Sequence, residues 1–160
     1  MDTLQWDKRS DYYKKLDRKA FYEIWQDTTK EYLADYQESI DNDYFYSIQD
    51  NKRGLTEITI LSQREGAYCD WIDYLIFNIS GKPISSFRVA GSCSDGGYDY
   101  NASGHFLNDS VYVLFSEDNY ETTGIVYEGT QTITYRQETT TITRSGKIRQ
   151  DDKILRRETK

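Results

Sequence analysis

The residue types that could perform chemistry are few, and their spacing arranges little of it. The chain has one histidine, His105, in the strand-like run Ser103-Gly104-His105-Phe106. A histidine-rich zinc site therefore cannot form, and a nucleophile–His–carboxylate system has only one residue from which to build its base. Neither Cys69 nor Cys93 belongs to a C-x-x-C pair, and nothing in the spacing sets a thiolate beside His105. Gly96-Gly97 is followed by Tyr98 and Asp99, without the Lys and Ser/Thr of a phosphate loop. Asp95, Asp99 and Asn101 offer hard oxygen atoms, but at a spacing that fails the EF-hand pattern. Asp70 and Asp73 flank Trp71, an arrangement suited to a sugar, although paired carboxylates arise readily by chance in an acidic chain. The sequence thus argues for a non-enzymatic protein with no cofactor and no metal.

Binding is better represented than catalysis. Glu31, Asp35, Glu38, Asp41, Asp43 and Asp50 follow one another without an intervening basic residue, among Tyr32, Tyr36, Tyr44 and Tyr46. Acidic groups speed encounter with a basic partner, and tyrosines anchor an interface at small entropic cost. The partner-binding residues expected on this basis are Asp41, Asp43, Tyr44 and Tyr46, followed by the loop residues Tyr98, Asp99 and Tyr100. A carbohydrate or small molecule held by aromatic rings such as Trp71 or Tyr74 is the alternative.

Twenty basic and 27 acidic residues give a formal charge of −7, which disfavours nucleic acid as a general partner. The charge is uneven. Residues 144–160 carry seven basic and three acidic side chains. Arg144, Lys147, Arg149, Arg156 and Arg157 there either meet a polyanion or form a solvated end. No apolar run approaches the length of a transmembrane helix, and the first residues show no apolar signal region.

The elements that must position these residues follow from periodicity. Over 10–38, Tyr13, Leu16, Ala20, Phe21, Ile24, Trp25, Tyr32 and Tyr36 recur at spacings of three and four, which predicts a helix capped by Ser10. From 44 onward, strands are predicted near 55–64, 69–79, 84–93, 103–107, 111–117, 123–128, 131–144 and 147–156, with turns at Ser80-Gly81, Asn108-Asp109 and Ser145-Gly146. Both faces of 71–79 are apolar, which suits a central strand covered on both sides. An exposed edge near Gln131–Arg144 would permit strand addition. Pairing residues whose numbers sum to 162 sets Cys69 opposite Cys93, within reach of a disulfide and hence of an oxidising compartment; two buried thiols are the other possibility. The expected fold is a single α+β domain over 1–160, predominantly antiparallel β. Its N-terminal helix packs on a curved meander of about seven or eight strands, either open or partly closed as a barrel.

The hairpin units carry a resemblance. Tyr74-Leu-Ile-Phe-Asn-Ile-Ser-Gly-Lys-Pro-Ile-Ser-Ser86, Gly104-His-Phe-Leu-Asn-Asp-Ser-Val-Tyr-Val-Leu-Phe115 and Ser145-Gly-Lys-Ile148 look like units of small exported β-meander proteins of Bacteroidetes, a group that includes lipoproteins and immunity-type proteins. The resemblance spans about residues 55–150 and rests on turn and strand chemistry. It implies export and protection against a partner toxin; the acidic, tyrosine-rich stretch adds that such a toxin would be basic and would be occluded, with the periplasm or cell envelope as the expected location. It carries over no catalytic residue, and the lipid-attachment cysteine of a lipoprotein is absent from the chain.

Overall fold

Alternating β-branched and aromatic residues joined by short glycine and Asx turns favour pairing between strands adjacent in sequence. The computed structural model describes residues 13–16, 41–50, 52–64, 68–124 and 127–160. Over these residues it forms one antiparallel sheet whose strand order follows the chain. The strands are β1 (Lys14–Lys15), β2 (Asp41–Ile48), β3 (Thr56–Arg64), β4 (Cys69–Phe77), β5 (Pro83–Asp95), β6 (Tyr98–Asn108), β7 (Val111–Gly124), β8 (Tyr127–Ile142) and β9 (Ile148–Thr159).

The α+β expectation is corrected: the described residues are all-β and hold no helix. Of the helix expected over 10–38, residues 13–16 are described, and they form a bend and the short strand β1. Lys14 pairs with Phe45 and Lys15 with Tyr44, while the Leu16 amide donates to the Asp43 carbonyl at 2.7 Å. Tyr13 lies against Tyr46 with ring centroids 5.2 Å apart, and Leu16 packs against Ile60, Leu75 and Phe77. Tertiary pairing has overridden the helical period at these four residues. Ser10, Ala20, Phe21, Ile24, Trp25, Tyr32 and Tyr36 lie outside the described residues.

The core is made by the middle strands. Ile72, Tyr74 and Ile76 of β4 join Tyr44, Leu61, Phe87, Val89, Tyr112, Leu114 and Ile142 in one cluster. Leu75 and Phe77, alternating with them, join Ile60 in another. Both faces of β4 are thus covered, as its apolar pattern predicts. The turn after β8 closes onto the same core. Gly146 has φ 84°, and a Cβ there would come within 2.9 Å of Ile76 and Leu55, so only glycine fits. Its carbonyl accepts a hydrogen bond from the Ser85 hydroxyl.

Cys69 and Cys93 are paired in register and form a disulfide. The predicted register holds from Cys69 to Ile72, then shifts at a bulge between Ile72 and Asp73 and again between Ile76 and Phe77. The two strands predicted at 111–117 and 123–128 do not match the observed boundaries, since β7 runs unbroken to Gly124. The Gln131–Arg144 segment is not an edge: β8 pairs with β7 and β9, and β9 is the last strand. Replacing Cys69 and Cys93 by alanine frees a loop with a sequence separation of 24. The expected cost is about 3 kcal/mol, a fall of roughly 10 °C in Tm. Thermal melts of the double variant and of the reduced wild type check this, and both should fall together.

Candidate functional site

The β5–β6 ladder is short. Gly91 to Asp95 pair with Ala102 to Tyr98, and no pairing continues beyond them. Among the described residues, Pro83–Ala90 therefore pairs only with β4, and Ser103–Asn108 only with β7. The bulge at Val89 and the small residues Gly91, Ala102 and Gly104 mark where the strands diverge. A Cβ on Gly104 would meet the Tyr112 ring at 2.7 Å as well as the Val113 carbonyl, so the tyrosine can cross there only above a glycine. The Tyr112 hydroxyl spans the divergence and donates to the Val89 carbonyl at 2.6 Å.

The opening left between the strands is a cleft of about 270 Å³, lined by residues including Tyr46, Thr59, Tyr74, Ser103, Phe106 and Tyr112. Its apolar wall is an aromatic cluster. Tyr74 stacks on Phe87 at 5.0 Å, and Phe106 meets Tyr112 edge-on at 4.8 Å and Tyr74 at 5.5 Å. Its polar wall comes from β2 and β3, where the Ser47 and Thr59 hydroxyls are 2.6 Å apart. Gln49 donates its amide to Ser47 at 2.6 Å.

One buried acid anchors this wall. Glu57 is 1% exposed and accepts two bonds from Arg53, at 2.7 and 2.6 Å, and a third from the Tyr74 hydroxyl. Burial first, and then the Glu57 bond, pushes the Tyr74 hydroxyl well above the ordinary tyrosine range. The Glu57 bond likewise raises Arg53. Arg53 also donates to the Asp109 carbonyl, and Lys52 pairs with the Asp109 carboxylate at 3.1 Å. The β2–β3 connection is thus tied to the β6–β7 turn across the sheet. Both Glu57 carboxylate oxygens are engaged in holding this wall together.

The residues singled out in the sequence fall in three places. Tyr46 lines the cleft. Asp43 and Tyr44 are interior, 0% and 3% exposed; Asp43 accepts from Ser62 at 2.5 Å and from Arg64 at 3.1 Å. Asp41 opens β2, with its side chain outside the described set. Tyr98, Asp99 and Tyr100, expected in a loop, instead open β6 and pair with Asp95, Ser94 and Cys93 in the short ladder, at its end next to the β5–β6 turn. Tyr98 donates to Asp118 at 3.1 Å, Asp99 accepts from Ser94 at 2.6 Å, and Tyr100 packs against Trp71 at 5.3 Å. Trp71 is occupied, with Arg88 3.9 Å from its ring centre. Asp73, which flanks it, is pushed upward by burial, an effect that its ion pair with Arg88 opposes. Ser47, Gln49, Thr59, Phe106 and Tyr112 carried no signal of their own as site residues. Gly104, an isolated glycine inside a strand pattern, marked the close approach beside them.

His105 is exposed, its ring 6.5 Å from that of Phe115. Among the described residues, no group of three or more His, Cys, Asp or Glu side chains converges as a metal site, and no helix is long and apolar enough to cross a membrane.

Two outcomes test these assignments. Burial pushes Tyr112 from 10.0 up to about 12. Between those values the unfolded chain loses this proton and the folded chain keeps it, so stability falls as pH rises, by about 1.4 kcal/mol per pH unit for this group. Urea titrations across the alkaline range should show a shallower fall in Tyr112→Phe, which also loses about 1 kcal/mol with the Val89 bond. Asp43→Asn, leaving Arg64 with a weakened partner, should destabilise the fold by about 3 kcal/mol. A surface-like change in its urea midpoint would contradict the interior role. No protein-family model, curated protein or solved structure matches the chain.

Proposed function

We propose that this is a non-catalytic binding domain, and that the cleft between β5 and β6 receives a compact ligand with one apolar face and a hydroxyl-bearing rim, the chemistry of a sugar ring. The observation that carries this reading is the facing of the Tyr74–Phe106–Tyr112 cluster by Ser47, Gln49 and Thr59 in one cleft. Aromatic walls with a few converging polar groups are the usual build of a small-ligand site. Rings pack against the C–H face of such a ligand, while hydroxyl and amide groups set its orientation. A ligand of this size, held by few polar contacts, binds weakly, so the domain acts by recognition or retention rather than by turnover.

A protein partner is the second reading, supported by a different surface. At the β5–β6 turn, Asp95, Asp99 and Glu121 are exposed, and Tyr120, opposite Tyr98, is 56% exposed. This is the acidic, tyrosine-bearing face that occlusion of a basic toxin requires, and it lies apart from the β2 residues that the sequence nominates. The disulfide fits an oxidising compartment such as the periplasm or cell envelope.

The first reading is tested by amide chemical-shift mapping with a panel of free monosaccharides and methyl glycosides. Shifts should centre on Tyr46, Thr59, Ser103 and Phe106. Ser103→Phe should fill the opening and weaken binding at least tenfold, with the thermal midpoint little changed. Shifts absent for the whole panel, or centred elsewhere, would remove the sugar reading.

A further inference from the structure

The last strand is unusual for how little it buries. Residues 149–157 of β9 are all exposed, on both faces of the strand, and Ile154 and Leu155 are 46% and 48% exposed. Beyond Ile148, which packs against the core, the ladder to β8 and surface contacts such as Arg136–Asp152 and Arg156 over the Tyr135 ring hold it. A twelve-residue edge with no proline, exposed on both sides, is a surface suited to a further strand.

Its charges specify which strand. Arg149 pairs with Asp151 at 3.3 Å and Arg156 with Glu158 at 3.2 Å, so these four side chains run plus, minus, plus, minus along the strand, with Asp152 and Lys153 between the two pairs. The register to β8 shifts between Tyr135 and Arg136, where Arg156 and Ile154 are their respective partners. Leu155 is left as the extra residue, and the alternation of faces inverts there. Arg149 and Asp151 consequently share a face with Arg156 and Glu158. Laid antiparallel on its own copy, β9 can pair half against half with faces matched only in registers whose residue numbers sum to an odd value. In the register summing to 307, Asp151 meets Arg156 and Arg149 meets Glu158, each twice by symmetry, and no like charges oppose. In the register summing to 309, Asp151 would meet Glu158 and Lys153 would meet Arg156, which repels.

We infer that β9 is a homodimerisation edge: two copies join antiparallel about a two-fold axis between Lys153 and Ile154. The sheet then continues across both chains, and the exposed Ile154 and Leu155 come together at the axis. The basic cluster at this end of the sequence is accordingly a self-complementary pattern rather than a site for a polyanion.

The self-pairing makes a specific demand on charge reversal. Asp151→Arg sets a second guanidinium opposite Arg156, and Arg156→Asp sets a second carboxylate opposite Asp151, so each variant alone repels its own copy. In the equimolar mixture, the Asp151→Arg chain opposes two guanidiniums to two carboxylates on the Arg156→Asp chain, and both contacts become attractive. Sedimentation velocity of the full chain should show a concentration-dependent dimer for the wild type, at least tenfold weaker self-association for each variant, and a restored heterodimer in the equimolar mixture. All the substituted side chains are exposed, and unchanged circular dichroism establishes that the fold is intact. A wild type that stays monomeric to millimolar concentration overturns the inference, as do single variants that dimerise as well as the wild type. A mixture that fails to recover dimer overturns the register.

Discussion

The constraint on which the rest of this structure depends is the brevity of the β5–β6 ladder. Five residue pairs join the first half of the meander to the second, and beyond Gly91 and Ala102 the two strands part. Unpaired backbone in a protein interior is costly unless something else satisfies it. Tyr112 supplies one replacement by reaching across to Val89, and Ser85 supplies another through Gly146. The sheet is held as a single body by side chains where backbone pairing stops. The cleft is the space those side chains leave.

This division of labour explains the composition. Tyrosine recurs at the junction because it combines a large apolar ring with a hydroxyl that can end a polar path inside a core. Leucine at position 112 would fill similar space and leave the Val89 carbonyl unbonded by it. At position 74 the same logic supports an anion, since the Tyr74 hydroxyl and Arg53 together compensate the buried Glu57. Such a network is stabilising when complete and costly when any member is lost. It is also the tie that draws the β2–β3 connection to the β6–β7 turn.

Local pairing was readable from sequence; long-range curvature was not. The hairpin turns at Ser80-Gly81 and Ser145-Gly146 announced themselves, and the register that sets Cys69 opposite Cys93 was legible. Between Ile72 and the turn the pairing departs from that register at two bulges, and the one at Val89, a core residue packed with Tyr112, had no local signal. Asp43 and Tyr44 looked like surface residues because acidic and aromatic types alternate there. The structure buries both, with Ser62 and Arg64 of the neighbouring strand β3 compensating the acid, a pairing that the sequence order of Asp43 and Arg64 does not reveal. The same distance in sequence hid the cleft, whose walls are drawn from β2 through β7. Around Lys14 and Lys15 a helical period was present, and strand pairing with Tyr44 and Phe45 prevailed over it.

The order of strands in space is the order of strands in the chain. From β2 onward, each ladder can therefore form by adding one hairpin arm to what already exists, without a long crossover to close. Antiparallel proteins are usually slow to fold because distant segments must find one another first. A strict meander avoids most of that search, so the sheet can grow by zippering from any nucleus, and the β4–β5 hairpin, with core residues on both faces of β4 and its own covalent clasp, is the natural place to begin. What remains for the end is the docking of Arg53 and the Gly146 turn across the sheet, two hydrogen bonds that join segments far apart in sequence. The cleft would then be the last feature to take shape, completed only when its opposite walls are tied together.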